Sequence, residues 1–282
     1  MDAMRPAPAP GPDIPFSRPD SRTMVIGISS GKGGVGKSTV TTNVAAAMAL
    51  RGHSVGVMDA DIWGFSIPRM FGLRGQRPSG SDGMIEPLER NGVKVISIGF
   101  FLEREEDPLM FRGPMLHKAL EQFLTDIRWG DDLDYLLIDL PPGTGDIVIS
   151  LATFLPAMGM VVVTTPQPVA QKVAERAANG TNKVKLRVLG VVENMAGEIF
   201  GSGGGGQLAE TLGVPLYGSI PLIPELRESS DAGEPFVWTN PDHPVTQSFL
   251  EIGDALTKFR PRRRLSVSGT GGRGGNGKPR PR

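Results

Sequence analysis

The chain has 282 residues, of which 39% are hydrophobic and 21% charged, as is ordinary for a globular protein with a sizeable core. Its 30 basic and 30 acidic residues balance, and no apolar run approaches the roughly 20 residues that a membrane-spanning helix needs. Cysteine is absent, which excludes disulfides, thiol nucleophiles and any metal or iron–sulfur site held by this chain's own thiolates.

Two segments of biased composition flank the central part of the chain. Residues 1–22 are rich in Pro and Ala and lack the apolar stretch of a secretory signal, so they are predicted to form a disordered leader. Residues 259–282 are rich in Gly, Pro and Arg and are predicted to form a disordered basic tail. This tail either only solubilises the protein or weakly attracts nucleic acid or anionic surfaces. Without a targeting or transmembrane segment, a cytoplasmic location is expected.

Between these flanks, short β-branched runs alternate with segments of helical periodicity. This alternation predicts an α/β fold, in which helices flank a doubly wound and mostly parallel sheet. Ligands bind such sheets at the carboxyl ends of the strands. The predicted strands are 23–29, 53–61, 93–100, 134–140, 160–165, 187–194 and 215–220. The predicted helices are 38–51, 115–127, 147–154, 169–178, 206–213 and 241–258.

A phosphate-binding loop follows the first predicted strand. The segment GKGGVGKST, residues 31–39, satisfies the pattern G-x-x-x-x-G-K-[ST] and leads into a predicted helix, which is the context that the motif requires. Lys37 is expected to reach the β- and γ-phosphates of ATP, and the Ser38 hydroxyl to bind Mg²⁺. Residues 23–258 are therefore predicted to be one P-loop ATPase domain. The predicted nucleotide contacts in the loop are Gly31, Lys32, Gly33, Gly34, Val35, Gly36, Lys37, Ser38 and Thr39.

Lys32 is an extra lysine that an ordinary phosphate loop does not require. Its position is too close to the loop for the side chain to curl easily onto the same nucleotide. It could instead reach the phosphates held by a facing copy of the protein, in the manner of an arginine finger supplied in trans. The alternative is a solvated surface lysine, and the sequence alone leaves both interpretations open.

Three aspartates stand at the ends of predicted strands. Asp139 is placed like a Walker-B aspartate that holds Mg²⁺ through water. Asp59 and Asp61 lie on the same side of one strand, where two carboxylates can orient Mg²⁺ and the attacking water. Capping of a helix or turn is the alternative for each one alone. Because the phosphate loop and the two aspartate-bearing segments all stand at strand ends, we favour the functional interpretation. Asp61 is interpreted as catalytic, Asp139 as a metal-site residue and Asp59 as a candidate metal ligand.

Taken in order, these segments resemble the Mrp/ApbC family of deviant-Walker P-loop ATPases, which is related to MinD and ParA. The resemblance covers about residues 24–256. It is carried by GKGGVGKST, DADIWG, RGPM, DLPPGTGD, TTPQ, GVVENM, FGSGGG and GSIPL.

The resemblance implies a homodimer that encloses ATP and Mg²⁺ at its interface. It implies that Lys32 acts across that interface, that Asp61 positions the hydrolytic water, and that Asp139 lies at the Mg²⁺. It further implies that Asn194 hydrogen-bonds the adenine, for which an amide offers both a donor and an acceptor. Family members carry iron–sulfur clusters to apoproteins, so the expected partners are apoproteins or cluster-assembly proteins.

The chain departs from that family between ENM and the glycine run. Many members have a Cys-x-x-Cys motif there, whereas residues 196–199 are Ala-Gly-Glu-Ile. An iron–sulfur cluster could be held only with a partner's thiolates, so direct cluster binding is doubtful. The glycines at 203–206 are interpreted as a flexible connection into a helix. The alternative functions are a MinD- or ParA-like ATP-dependent dimerisation switch that docks on protein, DNA or membrane, and a scaffold with negligible hydrolysis.

Overall fold

A computed structural model of the chain describes residues 12–102, 113–143 and 145–260. The strands follow the runs of Val, Ile and Leu, because β-branched and aliphatic side chains pack well on a pleated surface. In chain order the described strands are β1 Met24–Ser30, β2 Val55–Asp59, β3 Gly80–Ser81, β4 Met84–Ile85, β5 Leu88–Arg90, β6 Val93–Ser97, β7 Tyr135–Asp139, β8 Gly159–Thr164, β9 Arg187–Ala196 and β10 Leu216–Pro221.

Eight of these strands form one sheet in the order β10-β9-β8-β1-β7-β2-β6-β5, and only the β5–β6 pair is antiparallel. Every residue of β2, β7 and β8 is buried, as expected for strands covered on both faces. The predicted fold class is confirmed. The sequence did not predict β5 or the separate β3–β4 pair, because segments of two or three residues carry too little periodicity.

The described helices cover the sheet. Helix α1 packs against α9, while α5 and α6 pack over β8 and β9 around a second, smaller cluster of apolar side chains. Two short 3₁₀ helices occupy Pro15–Ser17 and Ile98–Phe101. In chain order the α-helices are α1 Lys37–Leu50, α2 Ile67–Met70, α3 Gly113–Thr125, α4 Asp146–Phe154, α5 Pro168–Lys183, α6 Gly204–Leu212, α7 Pro224–Ala232, α8 Phe236–Thr239 and α9 Pro244–Leu256.

Helices α5 and α7 differ most from the sequence-based expectation, and the one-turn helices α2 and α8 were not predicted either. Helix α5 was predicted to end at Ala178, but it continues to Lys183 because the buried Thr181 packs the last turn on the domain. The Thr181 hydroxyl donates to the carbonyl of Ala177 within that turn. Helix α7 was not predicted. Its Pro224 at the first turn and Gly233 after the last turn, with a φ of 75°, are the usual start and stop signals and could have revealed it.

The predicted flanks are only partly described. Part of the supposedly disordered leader packs on the domain: Ile14 is buried in the core, Phe16 packs against the core, and the Ser17 hydroxyl donates to the carbonyl of Phe154. The prediction of disorder is therefore wrong for residues 14–17, because Ile14 and Phe16 bury apolar surface against the core. Phe259 is also buried, beside Met158. Residues 1–11 and 261–282, with most of the predicted basic tail, lie outside the described residues.

Among the described helices, none has both the length and the hydropathy that crossing a membrane requires.

Candidate functional site

The phosphate loop lies at the carboxyl end of β1, between Ser30 and the start of α1 at Lys37. β1 is in the middle of the sheet, where the chain crosses to one side through β2 and later to the other through β8. Such a switch point is where open α/β sheets bind ligands. Gly34 and Gly36 have φ values of 77° and 78°, a backbone region that glycine adopts without strain. The loop therefore delivers the free N–H groups of the α1 amino terminus to the site.

Gly31 allows the loop to lie directly against α5. A Cβ at Gly31 would be 2.4 Å from the backbone nitrogen of Ala174, and the backbone of a helix cannot move aside. The first glycine of the motif is thus a packing residue that sets the path of the loop.

Three hydroxyl or ammonium groups converge on Asp139 at the end of β7. Lys37 Nζ lies 2.7 Å from Asp139 Oδ2, and the Ser38 hydroxyl donates to the same oxygen at 2.6 Å. The Thr41 hydroxyl donates to Asp139 Oδ1 at 2.7 Å. Asp139 is fully buried, and Lys37 is almost so. The network fixes the lysine and the serine at the mouth of the loop.

Thr41 is a site residue that the sequence analysis missed. It lies four residues after Lys37 in α1, and residues separated by four lie on the same face of a helix. That spacing was the signal that could have found it.

Asp61 follows β2 and faces the same lysine. Its Oδ2 lies 3.7 Å from Lys37 Nζ. Burial raises the pKa of Asp61 above the ordinary value, the positive charge of Lys37 opposes the shift, and the charge of Asp139 adds to it. A carboxylate of this kind can accept a hydrogen bond or a proton from a water molecule near a phosphate.

Asp59 lies beneath the site and does not line the cavity. Its carboxylate accepts hydrogen bonds from the backbone nitrogens of Asp61 and Ile67 and from the Ser97 hydroxyl, at 3.2 to 3.3 Å. Asp59 is paired with Asp139 across neighbouring strands, and burial together with that charge raises the pKa of Asp59 to about 8. These contacts suit a residue that shapes the loop carrying Asp61, and they leave the possible Mg²⁺-ligand role without structural support.

One cavity of about 710 Å³ lies over the phosphate loop. A volume of this size is within the range of small-molecule sites. Of the predicted site residues, the cavity brings together Gly33, Gly34, Val35, Gly36, Lys37, Ser38, Thr39 and Asp61. Its wall also includes Ser30, Trp63, Gly64, Ser66, Met70, Leu116, Pro141, Pro142, Gly145, Asp146 and Ile147, which the sequence analysis did not assign to the site.

Besides Asp59, four predicted nucleotide or metal residues do not belong to the cavity wall. Gly31 packs on α5, and Asp139 acts from behind Lys37 and Ser38. Lys32 is half-buried, and its carbonyl accepts a hydrogen bond from the Ser30 hydroxyl. Asn194 is buried, and its amide nitrogen donates to the carbonyl of Val35 at 2.8 Å.

The donor atoms at the loop fit Mg²⁺. The Ser38 hydroxyl lines the cavity and lies 2.6 Å from the carboxylate of Asp139, and such hard oxygen donors are what this cation prefers. Ser38 would hold the ion directly, with Asp139 behind it. When bound, Mg²⁺ would neutralise charge that develops on the phosphate oxygens.

The glycine run at 203–206 is a close-packed helix start. Helix α6 already begins at Gly204, and the buried carboxylate of Glu193 accepts hydrogen bonds from the backbone nitrogens of Gly203 and Gly205 and from the Ser219 hydroxyl. A Cβ at Gly205 would lie 2.5 Å from the Glu193 Cβ. The interpretation as a flexible connection is wrong, because these glycines allow a carboxylate to cap the helix at close range.

Before that helix, the segment at the family's Cys-x-x-Cys position forms a tight loop. The backbone nitrogens of Gly197 and Gly201 each donate to the other's carbonyl, at 2.8 and 2.7 Å. Between them, Ile199 is 76% exposed. Within the described ranges, no group of three or more His, Cys, Asp or Glu residues could hold a metal ion.

Comparisons with known proteins agree with the resemblance that the motifs indicate. A family model described as the ParA-group NUBPL iron-transfer P-loop NTPase matches residues 21–257. An iron–sulfur cluster carrier protein of Mycobacterium leprae is 52% identical over 91% of this chain and 70% of its own length. A protein of the same name from Saccharolobus solfataricus is 45% identical over 83% of both chains.

Solved structures share the fold. A nucleotide-binding protein from Archaeoglobus fulgidus in complex with ADP is 35% identical, has a TM-score of 0.69, and is matched over 83% of this chain and 97% of its own. MinD from Pyrococcus horikoshii, complexed with Mg-ADP, is 23% identical with a TM-score of 0.65 over 84% of this chain and 96% of its own. The resemblance inferred from the motifs is confirmed, and the chain belongs to the P-loop NTPase family of iron–sulfur cluster carriers.

Proposed function

We propose that this chain is a Mg²⁺-dependent ATPase that hydrolyses ATP slowly as a homodimer. One observation carries the proposal. Lys37 and Ser38 line the cavity and are both hydrogen-bonded to the buried Asp139 behind them, and Asp61 lies 3.7 Å from the lysine. Lys37 binds the β- and γ-phosphates, and the loop N–H groups hold them in place. Asp61 orients the water that attacks the γ-phosphorus, whose bond to the bridging oxygen breaks to release ADP and phosphate.

We further propose that ATP turnover serves the delivery of iron–sulfur clusters to apoproteins. The relatives named as cluster carriers support this role. Because the chain has no cysteine, the cluster is cargo whose thiolate ligands come from the client or from an assembly partner. The chain then contributes a nucleotide-controlled surface and does not store the cluster by itself.

Lys32 is proposed to complete the site of the facing protomer. The side chain does not form part of the wall of its own chain's cavity. We expect phosphate release by the parent protein to require Mg²⁺, and Lys32→Ala to lower its rate by about 100-fold or more, as for a charge supplied in trans. Lys183→Ala, at an exposed lysine at the end of α5, is the matched control and should retain the parent rate.

Mixing two inactive variants tests the assignment in trans. In a mixed dimer of Lys32→Ala and Asp61→Asn, one site has both its own Asp61 and the partner's intact lysine. Equal mixing should therefore restore about one quarter of the parent rate, because half of the dimers are mixed and each has one complete site. No recovery, after subunit exchange has been demonstrated, would show that Lys32 acts within its own chain. A Lys32→Ala protein at the parent rate would remove any role for the lysine.

The cluster proposal predicts that the purified chain alone will not be reconstituted. Anaerobic incubation with iron and sulfide should give no stoichiometric cluster, because the chain offers no thiolate and the described residues offer no alternative ligand set. Iron content and the charge-transfer absorption bands are the measurements. The control is the same incubation with a cysteine-containing apoprotein, which should acquire the cluster. A full complement of iron on the chain alone would contradict the proposal, and no effect of ATP on transfer would favour the dimerisation switch.

A further inference from the structure

We propose that Asn194 is a positioning residue that holds the phosphate loop from beneath, and that it acts through this loop on the binding of the phosphates. The inference rests on the proposed binding of ATP at this loop. It assigns to Asn194 a role that differs from the adenine contact implied by the family resemblance.

The contact that carries the inference joins distant parts of the chain. Asn194 lies near the carboxyl end of β9, is only 3% exposed, and donates through Nδ2 to the carbonyl of Val35 at 2.8 Å. Val35 is in the middle of the phosphate loop, and its side chain is itself buried. One of the two N–H groups of this amide is therefore engaged by the loop.

Holding this carbonyl also orients the next N–H group. The peptide bond is planar and trans, so the Val35 carbonyl and the Gly36 N–H point in opposite directions. A carbonyl drawn towards Asn194 turns the Gly36 N–H away from Asn194. Gly36 lines the cavity, so this N–H is presented on the side where the phosphates bind.

Gly36 and Asn194 lie so close together that no larger residue could replace Gly36 without moving the amide. A Cβ at Gly36 would lie 2.2 Å from Asn194 Nδ2, so the amide occupies space that only a glycine leaves. Gly36 also has a φ of 78°, the conformation that turns the loop into α1. The conformation of the loop and the position of the amide therefore depend on each other.

The support beneath Asn194 is rigid. Its neighbour Glu193 is fixed by hydrogen bonds from the Gly205 nitrogen and the Ser219 hydroxyl, at 2.8 and 2.6 Å. Asn194 itself is paired with Ile220 in the parallel strand β10. Because the backbone that carries Asn194 is fixed in this way, the side chain has little freedom to follow the loop and can hold it in position.

Binding of three ligands distinguishes the two roles. The parent, Asn194→Ala and Asn194→Asp proteins are titrated with Mg-ATP, Mg-GTP and Mg-tripolyphosphate, the last of which has no base. We expect Asn194→Ala to weaken binding of all three by a similar factor of about 10, since one buried hydrogen bond is lost and one acceptor is left unpaired. Asn194→Asp keeps the size but sets an oxygen against the Val35 carbonyl, and should weaken all three at least as much.

Asn240→Ala is the control, because the Asn240 amide contacts Thr239 and Phe236 and Asn240 does not line the cavity. It should leave all three affinities unchanged. Thermal melting of each variant establishes that the fold is intact, and the isosteric aspartate variant provides a second test where alanine unfolds the protein. A loss confined to Mg-ATP, with tripolyphosphate binding retained, would overturn the inference in favour of adenine recognition. Unchanged binding of every ligand would also overturn it, whereas a parent protein that binds none would refute the proposed ATP binding itself.

Discussion

Lys37→Ala is expected to abolish ATP hydrolysis and to destabilise the fold at the same time. The rate should fall by roughly 100- to 1000-fold, because a charge aimed at the transferring phosphate is removed from a preorganised site. Lys37 Nζ also lies 2.7 Å from the fully buried Asp139, which would keep a carboxylate without its cation. Breaking a buried pair in this way lowers the free energy of unfolding by about 3–5 kcal/mol. Phosphate release and urea denaturation are the two measurements.

A second substitution separates these two effects. In the double variant Lys37→Ala/Asp139→Ala the uncompensated carboxylate is gone, so part of the lost stability should return while hydrolysis stays absent. Lys183→Ala, at an exposed lysine, controls for the loss of a positive charge. A Lys37→Ala protein that hydrolyses ATP at half the parent rate or more would refute the proposed site.

Asp61→Asn is expected to stop hydrolysis while nucleotide binding persists. The substitution keeps the size of the side chain but removes the charge that faces Lys37 at 3.7 Å. A group that orients or deprotonates the attacking water contributes roughly 100- to 10,000-fold to the rate, so kcat should fall within that range. The dissociation constant for ATP should change by no more than a few fold, because phosphate binding is left to the loop and Lys37. Single-turnover phosphate release and equilibrium titration measure the two quantities.

Asp254→Asn provides the matched control for that experiment. Asp254 forms an exposed ion pair with Arg51 at 3.2 Å, and such pairs contribute little. Its rate should equal that of the parent. A fall in ATP affinity as large as the fall in kcat would mean that Asp61 contributes to binding and not to the chemical step.

The sheet and the phosphate loop could be predicted from the sequence because both are local patterns. Val55–Asp59 and Tyr135–Asp139 are short apolar runs that end in a carboxylate, and burial on both faces leaves few other ways to accommodate them. The spacing of Gly31, Gly36 and Lys37 likewise defines the loop without any long-range information.

The residues beneath the site could not be predicted, because their roles depend on register. Asp59 and Asp139 are 80 positions apart in sequence but directly paired between β2 and β7. Nothing near Asp59 in the sequence indicates that Asp139 and the Ser97 hydroxyl are the neighbours of its carboxylate. In the sequence, an aspartate that lines the cavity cannot be distinguished from one that lies beneath it, because both stand at strand ends. Only the register of the strands separates the two cases.

The glycine run was misinterpreted for a related reason. Four consecutive glycines suggest a flexible backbone when only the local sequence is considered. Gly205 instead lies against Glu193, twelve residues earlier, and Gly204 lies against the carbonyl of Pro166. Absence of a side chain can signal close packing as well as flexibility, and only the neighbouring strand decides between them.

The buried Phe259 determines where the end of the described chain is attached. It lies beside Met158 and Arg187, at the amino-terminal edge of the sheet, whereas the phosphate loop follows the carboxyl end of β1. The six residues of β8 alone separate the two edges by about 20 Å. The Debye length at physiological ionic strength is about 8 Å, so the charges of Lys258 and Arg260 are largely screened from bound phosphates. A fluorophore or surface tether attached at this end of the described chain would therefore leave the electrostatic potential at the proposed nucleotide site unaltered.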